Sequence, residues 1–224
     1  MSTYQHLQKA DVVGIFPTPI CRMNMPIKSE LIDDLKNLEL KKWAEKDHEC
    51  NHERSIDSFV LNQHLFLEIK NGIEDRLNEF AKEVMALEFP MQFTQSWIIK
   101  SDPGYGHHKH IHPNSIISGV YYFDLPDGKS VINFHNSKPT GTYIMSPSMD
   151  PMKVHQTKYA FDYVTFDVNN FDLILFPSYL EHSVPPNPTN SQRWSMAFNS
   201  VPTWGLGTVE SLTELPIPMT GSPR

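Results

Sequence analysis

The sequence predicts a mainly β protein with its helices confined to the first third and a body built as an antiparallel sandwich or jelly roll. Three observations predict this. Charged residues fall from 27 of the first 90 positions to 18 of the other 134, while aromatic and β-branched residues become frequent. Short apolar runs follow one another after residue 90 with no helical periodicity between them, which excludes a parallel sheet with crossover helices. Turn signals separate those runs at Asp102-Pro-Gly, Pro126-Asp-Gly, Lys138-Pro-Thr-Gly and Val184-Pro-Pro-Asn-Pro.

Taken in order, an apolar strand-like stretch from Val12 to Met25 leads to Pro26, which suits a first helical turn. Leu31, Leu35, Leu38 and Trp43 then follow at near-helical spacing. A second helix is read from Ile69, Ile73, Leu77, Phe80, Val84 and Leu87, which step by three and four until Pro90 ends the run. Strands are expected over 92–100, 116–124, 130–135, 141–146, 158–168, 171–177 and 192–201, with a long loop from Met145 to Gln156. No Gly/Ser/Pro linker divides the 224 residues, so one domain is expected. It comprises a helical buttress (1–90), a β core (91–202) and a tail (203–224).

Composition narrows function. A net charge of −7 disfavours a nucleic-acid phosphate track. No apolar run approaches the roughly 18 residues of a membrane span. The first residues lack the basic flank and apolar stretch of a secretory leader. Cys21 and Cys50 form neither a CxxC motif nor a disulfide framework, so a reducing cytoplasm is expected. A small-molecule or peptide substrate is the partner this leaves.

Four of the 11 histidines fall within six residues: His107, His108, His110 and His112. Residues two apart on an extended strand share a face. His110 and His112 can therefore present two imidazoles to one metal ion, and His108 and His110 satisfy the same geometry one register earlier. Seventy residues on, an apolar strand from Phe171 runs through a turn to His182, and Arg193 and Ser195 follow on one strand face. An inward arginine is costly without an anion. A small carboxylate held by its guanidinium fork and the Ser195 hydroxyl would meet that need.

Four segments then carry a resemblance: His110-Ile-His112-Pro-Asn-Ser, Ser118-Gly-Val-Tyr-Tyr122, Leu173 through Asn187, and Arg193-Trp-Ser195 through Asn199. In order and spacing the chain resembles the Fe(II)- and 2-oxoglutarate-dependent oxygenases, in the prolyl-hydroxylase-like branch. That resemblance implies a double-stranded β-helix core (jelly-roll or cupin-like) binding Fe(II) through His110, His112 and His182. It implies 2-oxoglutarate as cosubstrate, its far carboxylate meeting Arg193, Ser195 and Tyr122, with Tyr121 on the opposite face. The implied reaction is hydroxylation of a substrate with release of succinate and CO2, in a microbial or virus-encoded protein.

One residue departs from the usual facial triad of two histidines and a carboxylate: position 112 is histidine. This leaves a three-histidine cupin-type dioxygenase that does not use 2-oxoglutarate as an alternative, along with a non-catalytic jelly-roll module. It also raises a carboxylate from elsewhere, such as Asp102. Trp97 is expected to fill the core, Asn133 and Asn199 to support the cosubstrate pocket, and His52, His64, His135 and His155 to be surface or core residues. Gly104 and Gly106 are expected to form the turn that delivers the histidine strand.

Overall fold

A computed structural model describes residues 17–45, 48–136 and 163–217. The strand expected over 141–146, the Lys138 turn, the Met145–Gln156 loop and His155 lie outside the described residues, as does the start of the stretch from Val12. Eleven strands and two α-helices are described. The first strand, β1 (Cys21–Asn24), precedes α1 (Ser29–Lys36), whose Leu31 and Leu35 are buried one turn apart.

The first helix is shorter than expected, and Trp43 is not on it. The chain instead turns into β2 (Leu40–Glu45), which pairs antiparallel with β3 (His48–Ser55). The second helix, α2 (Leu67–Glu79), buries Ile69, Ile73 and Leu77 as the periodicity predicts. It then runs through a π-helical turn at Phe80–Val84. A wider turn shifts the phase of the apolar stripe, so Phe80 and Ala81 stay buried while Val84 is exposed.

The body supplies β4 (Met91–Ser101), β5 (His107–His110), β6 (Ile117–Asp124), β7 (Lys129–His135), β8 (Tyr163–Asn169), β9 (Asp172–Pro177), β10 (His182–Val184) and β11 (Arg193–Pro202). A seven-stranded sheet runs β1-β9-β6-β11-β4-β3-β2, and a four-stranded sheet runs β5-β10-β7-β8. All the strand pairings in both are antiparallel. The helices cover one face of the large sheet, where α2 residues pack with Tyr121, Leu173, Leu175, Met196 and Phe198. On its other face Tyr122, Ile174 and Phe176 pack with Ile132 and Phe134 of the small sheet. The two layers and their crossed order are those of a double-stranded β-helix. No helix among the described residues is long and apolar enough to cross a membrane.

Strand β6 holds the tightest point between its neighbours. A Cβ at Gly119 would lie 2.2 Å from Phe198 Cζ and 2.9 Å from Leu175 Cδ2, all within the packed core. Gly119→Ala is therefore expected to destabilise the protein by about 1–3 kcal/mol through overpacking. A urea unfolding curve of the variant checks this, and an unchanged midpoint would mean that Phe198 moves aside freely.

Candidate metal centre

The site forms where the two sheets face each other, and strand register decides what enters it. On β11, Arg193, Ser195 and Ala197 line one cavity while Trp194, Met196 and Phe198 join the helix-side core. On β6, Tyr122 lines the same cavity. Tyr121 points the other way, its hydroxyl donating to the Met25 carbonyl at 2.6 Å. Ser195 is the register partner of Tyr122, and both line the same cavity as Arg193.

At the opposite end of the cavity are His110, His112 and His182, each offering a ring nitrogen, all within 4.8 Å of one another. His110 and His182 are register partners on β5 and β10. His112 lies two residues past the end of β5 and is held there by its backbone N–H, which donates to the Ser178 carbonyl at 3.0 Å. The structure thus brings together His110 with His112, and not His108 with His110, as the pair facing His182. His107 stacks on the His110 ring at 4.3 Å between centroids, and on its far side lies the buried His52, at 4.9 Å.

The protonation pattern suits a cation. The Nδ1–H of His110 donates to the His108 carbonyl at 2.8 Å, and that of His182 to the Leu180 carbonyl at 3.0 Å. A carbonyl only accepts, so both rings carry their proton on Nδ1 and, when neutral, leave Nε2 unprotonated. The Nε2 atoms of His112 and His182 face each other at 3.2 Å, a distance two lone pairs tolerate only with a proton or a cation between them. Burial, then the neighbouring His110, pushes His182 down to about 3 and His112 to about 4. Burial also holds His107 well below the ordinary range. Neutral imidazoles are the metal-binding form.

At the other end the surplus is positive. Arg193 is 7% exposed, and its contacts, to Ser130 Oγ and to the Pro185 and Tyr105 carbonyls, are all 3.4 Å long. No carboxylate pairs with it among the described residues. The Tyr122 hydroxyl is buried with no hydrogen-bond partner, and burial raises its pKa. A buried guanidinium beside a buried phenol is chemically suited to hold an anion. Trp97, Ile99, Val120, Ile132 and Ala197 form apolar walls between the two ends.

Several expectations are corrected here. Asp102 is not at the triad; its carboxylate accepts from Gln192 Nε2 at 2.9 Å. Trp97 does not simply fill the core but lines the cavity and stacks near His112, 6.1 Å between centroids. Asn133 alternates with buried Ile132 and Phe134, and its amide accepts from Thr165 on the outer side of the small sheet. Asn199 is buried, and its amide oxygen accepts from Ser118 Oγ at 2.9 Å. Beside it Ser115, Ser118 and Ser178 form a polar cluster, with Ser118 Oγ 2.7 Å from Ser178 Oγ and Ser178 bonding Ser115 Oγ at 2.8 Å; all three stand inside the motif segments, but serine as a residue type points to no role there. His135 bonds Ser183 at 2.8 Å, away from the triad. Gly104 has a φ of +82°, and a Cβ at Gly106 would meet the Val184 carbonyl at 2.4 Å, so the approach to the histidine strand requires both glycines.

A double-stranded β-helix with three converging imidazoles at one end of its cavity and an unpaired arginine at the other defines the class of non-haem metal oxygenases. Family comparison agrees. Residues 95–199 match the family described as "Putative 2OG-Fe(II) oxygenase". No curated protein sequence matches the chain.

Solved structures share the fold at low identity. HygX from Streptomyces hygroscopicus, with nickel and 2-oxoglutarate bound, is 11% identical with a TM-score of 0.55 over 90% of this chain and 92% of that one. A Pseudomonas putida prolyl-4-hydroxylase is 12% identical with a TM-score of 0.54 over 82% and 94%. The epimerase SnoN in complex with Fe3+, alpha ketoglutarate and nogalamycin RO is 10% identical with a TM-score of 0.59 over 92% and 88%.

The depressed histidines set a pH dependence. His112 and His182 bind a proton near pH 6.5 when unfolded but only near 4 and 3 when folded. The unfolded chain therefore holds more protons between those limits, and stability falls as pH is lowered. In metal-free protein that contribution is complete above pH 6.5 and is lost progressively towards pH 4 and below. Urea midpoints are expected to be level from pH 7.5 to about 6.5 and to fall from there to pH 4.5, less steeply in His182→Ala.

Proposed function

We propose that this protein hydroxylates a small-molecule or peptide substrate with dioxygen, converting 2-oxoglutarate to succinate and CO2, with His110, His112 and His182 holding Fe(II). Arg193, Ser195 and Tyr122 bind the far carboxylate of the cosubstrate. The observation that carries this reading is the buried Arg193 guanidinium beside the buried Tyr122 hydroxyl, in one cavity with three imidazoles whose ring nitrogens lie within 4.8 Å of one another. When bound, iron and the keto acid would supply the oxygen activation and two of the electrons it needs.

The protein's own part is binding, orientation and exclusion of water. Arg193 and Tyr122 fix one end of a dicarboxylate by charge-assisted hydrogen bonds, and the apolar walls keep its middle dry. The carbonyls of His108 and Leu180 hold two imidazoles in the ligating tautomer. The net charge of −7 supports a substrate that is not nucleic acid, and the few cysteines support a cytoplasmic setting. One working domain is supported by β3 of the front pairing directly with β4 of the body.

The all-histidine triad keeps a second reading in play, a cupin-type dioxygenase with no keto-acid cosubstrate. Such an enzyme gives no purpose to a buried Arg193 and Tyr122. Anaerobic titration of the Fe(II)-loaded protein with 2-oxoglutarate, followed by the visible metal-to-ligand charge-transfer band, separates the two. A saturable band is expected. Arg193→Ala should weaken cosubstrate binding by about 100-fold or more and Tyr122→Phe by about 10-fold, matching the loss of hydrogen bonds to a charged group. His182→Ala should lose iron. Iron binding without the band would favour the second reading, and an Arg193→Ala variant with unchanged affinity would refute the carboxylate assignment.

A further inference from the structure

Arg193 faces two spaces. It lines the inner cavity that holds the triad, and it also lines a groove on the outside of the sandwich. The groove runs between one end of the β7–β8 pair, at Lys129 and Asn169, and the proline-rich loop after β10, from Pro185 to Thr189. Two of the three contacts that hold the guanidinium are to residues of this groove, from Nη1 to Ser130 Oγ and to the Pro185 carbonyl. At 3.4 Å both are longer than the roughly 2.7–3.2 Å of a well-formed N–H···O bond. The guanidinium is thus a buried but loosely held partition between groove and cavity.

Register fixes which end of the sandwich this is. β7 and β8 pair from Lys129 with Asn169 at one end to His135 with Tyr163 at the other. His135 bonds Ser183, the neighbour of His182, so the metal lies towards the His135 end and the groove opens at the opposite one. The chemistry of the groove suits a dicarboxylate. Val131, Val168, Pro185 and Pro186 give apolar walls for methylene groups. Arg193 stands at the inner side, and Lys129 is exposed and in no ion pair among the described residues. Asp167, also exposed, is the one carboxylate among the lining residues, which leaves two cations against one anion.

We infer that this groove is the passage by which the dicarboxylate cosubstrate enters the inner cavity and succinate leaves it, with the Arg193 guanidinium as the gate. The inference rests on the 2-oxoglutarate reading above. Entry from this end requires no reversal of the molecule. The keto-acid end leads towards the imidazoles and the far carboxylate trails onto Arg193, which exchanges long contacts to neutral oxygens for charge-assisted ones. The metal end stays clear for the primary substrate, so succinate can leave while the hydroxylated product is still in place.

The test is stopped-flow mixing of the anaerobic, Fe(II)-loaded full-length protein with 2-oxoglutarate, followed by the charge-transfer band. The slope of the observed rate against concentration gives association, and the intercept gives dissociation. Val131→Trp, which fills the groove from a half-buried wall position, is expected to lower slope and intercept together by about 10-fold or more, leaving Kd unchanged. Lys129→Glu is expected to slow association by about 10-fold at low salt, the deficit shrinking as salt is added. Being at an exposed position, it carries the test should Val131→Trp fail to fold by near-ultraviolet circular dichroism. Wild-type slopes in the folded variants would overturn the passage while leaving the cosubstrate site standing. A weaker Kd through the intercept alone would also overturn it, since the groove would then be a supporting wall and not a route. Wild-type protein that binds Fe(II) yet gives no band would overturn the 2-oxoglutarate reading, and the passage with it.

Discussion

Strand β11 is buried along all ten of its residues, and the alternation of its side chains builds both the core and the site. Trp194, Met196 and Phe198 enter the layer between the large sheet and the helices. Arg193, Ser195 and Ala197 enter the cavity between the sheets. A slip of one residue would put the arginine among α2 leucines and isoleucines and the phenylalanine in the metal site. Two neighbours prevent it. β4 pairs with β11 from Arg193 to Pro202, and β6 pairs with it from Trp194 to Ser200. The register that stabilises the hydrophobic layer therefore sets the chemistry, which is why cavity and core share one strand.

The cavity separates two electrostatic problems and solves neither alone. One end collects imidazoles that burial keeps neutral. The other collects a guanidinium that burial disfavours but whose high intrinsic pKa keeps it charged. Three long contacts to a hydroxyl and two carbonyls are a poor substitute for the carboxylate such a group normally has. Bringing a divalent cation to the first end would add charge to a dry space that already has a surplus. A dicarboxylate spanning the cavity answers both ends at once, one carboxylate on the arginine and the other beside the cation. A metal held by the three imidazoles and a dicarboxylate held by Arg193 would compensate each other's charge, more so than where one ligand is a carboxylate.

Much of the body was legible because its strands alternate cleanly or are continuously apolar, as in Asp172–Pro177. The β2–β3 hairpin was not. Its sequence, Leu40-Lys-Lys-Trp-Ala-Glu45, carries charges that suit a sheet edge, and such a strand lacks the period-2 pattern that betrays an internal one. β5 and β10 are only four and three residues long and consist largely of site residues. The placement of Trp97 escaped for a different reason. A tryptophan in an apolar strand reads as core, and only its pairing opposite Ala197, a contact 100 positions away, shows that its face is the cavity.

The same distinction governs the site. His110, His112, His182 and Arg193 were readable because the chemistry of each side chain makes a demand that ordinary packing does not meet. Asn199 and the serines make no such demand individually; an asparagine or serine near a strand end is common and unremarkable. Their significance appears only when β6, β9 and β11 are brought side by side, turning three hydroxyls and an amide from four separate sequence positions into one connected set. Residues that meet substrate and metal announce themselves by type, whereas residues that aim them are recognisable only by whom they touch. In this fold the serine cluster lies on and beside strands already committed to the core, so the Ser178 carbonyl that accepts the His112 backbone N–H inherits the rigidity of the sheet.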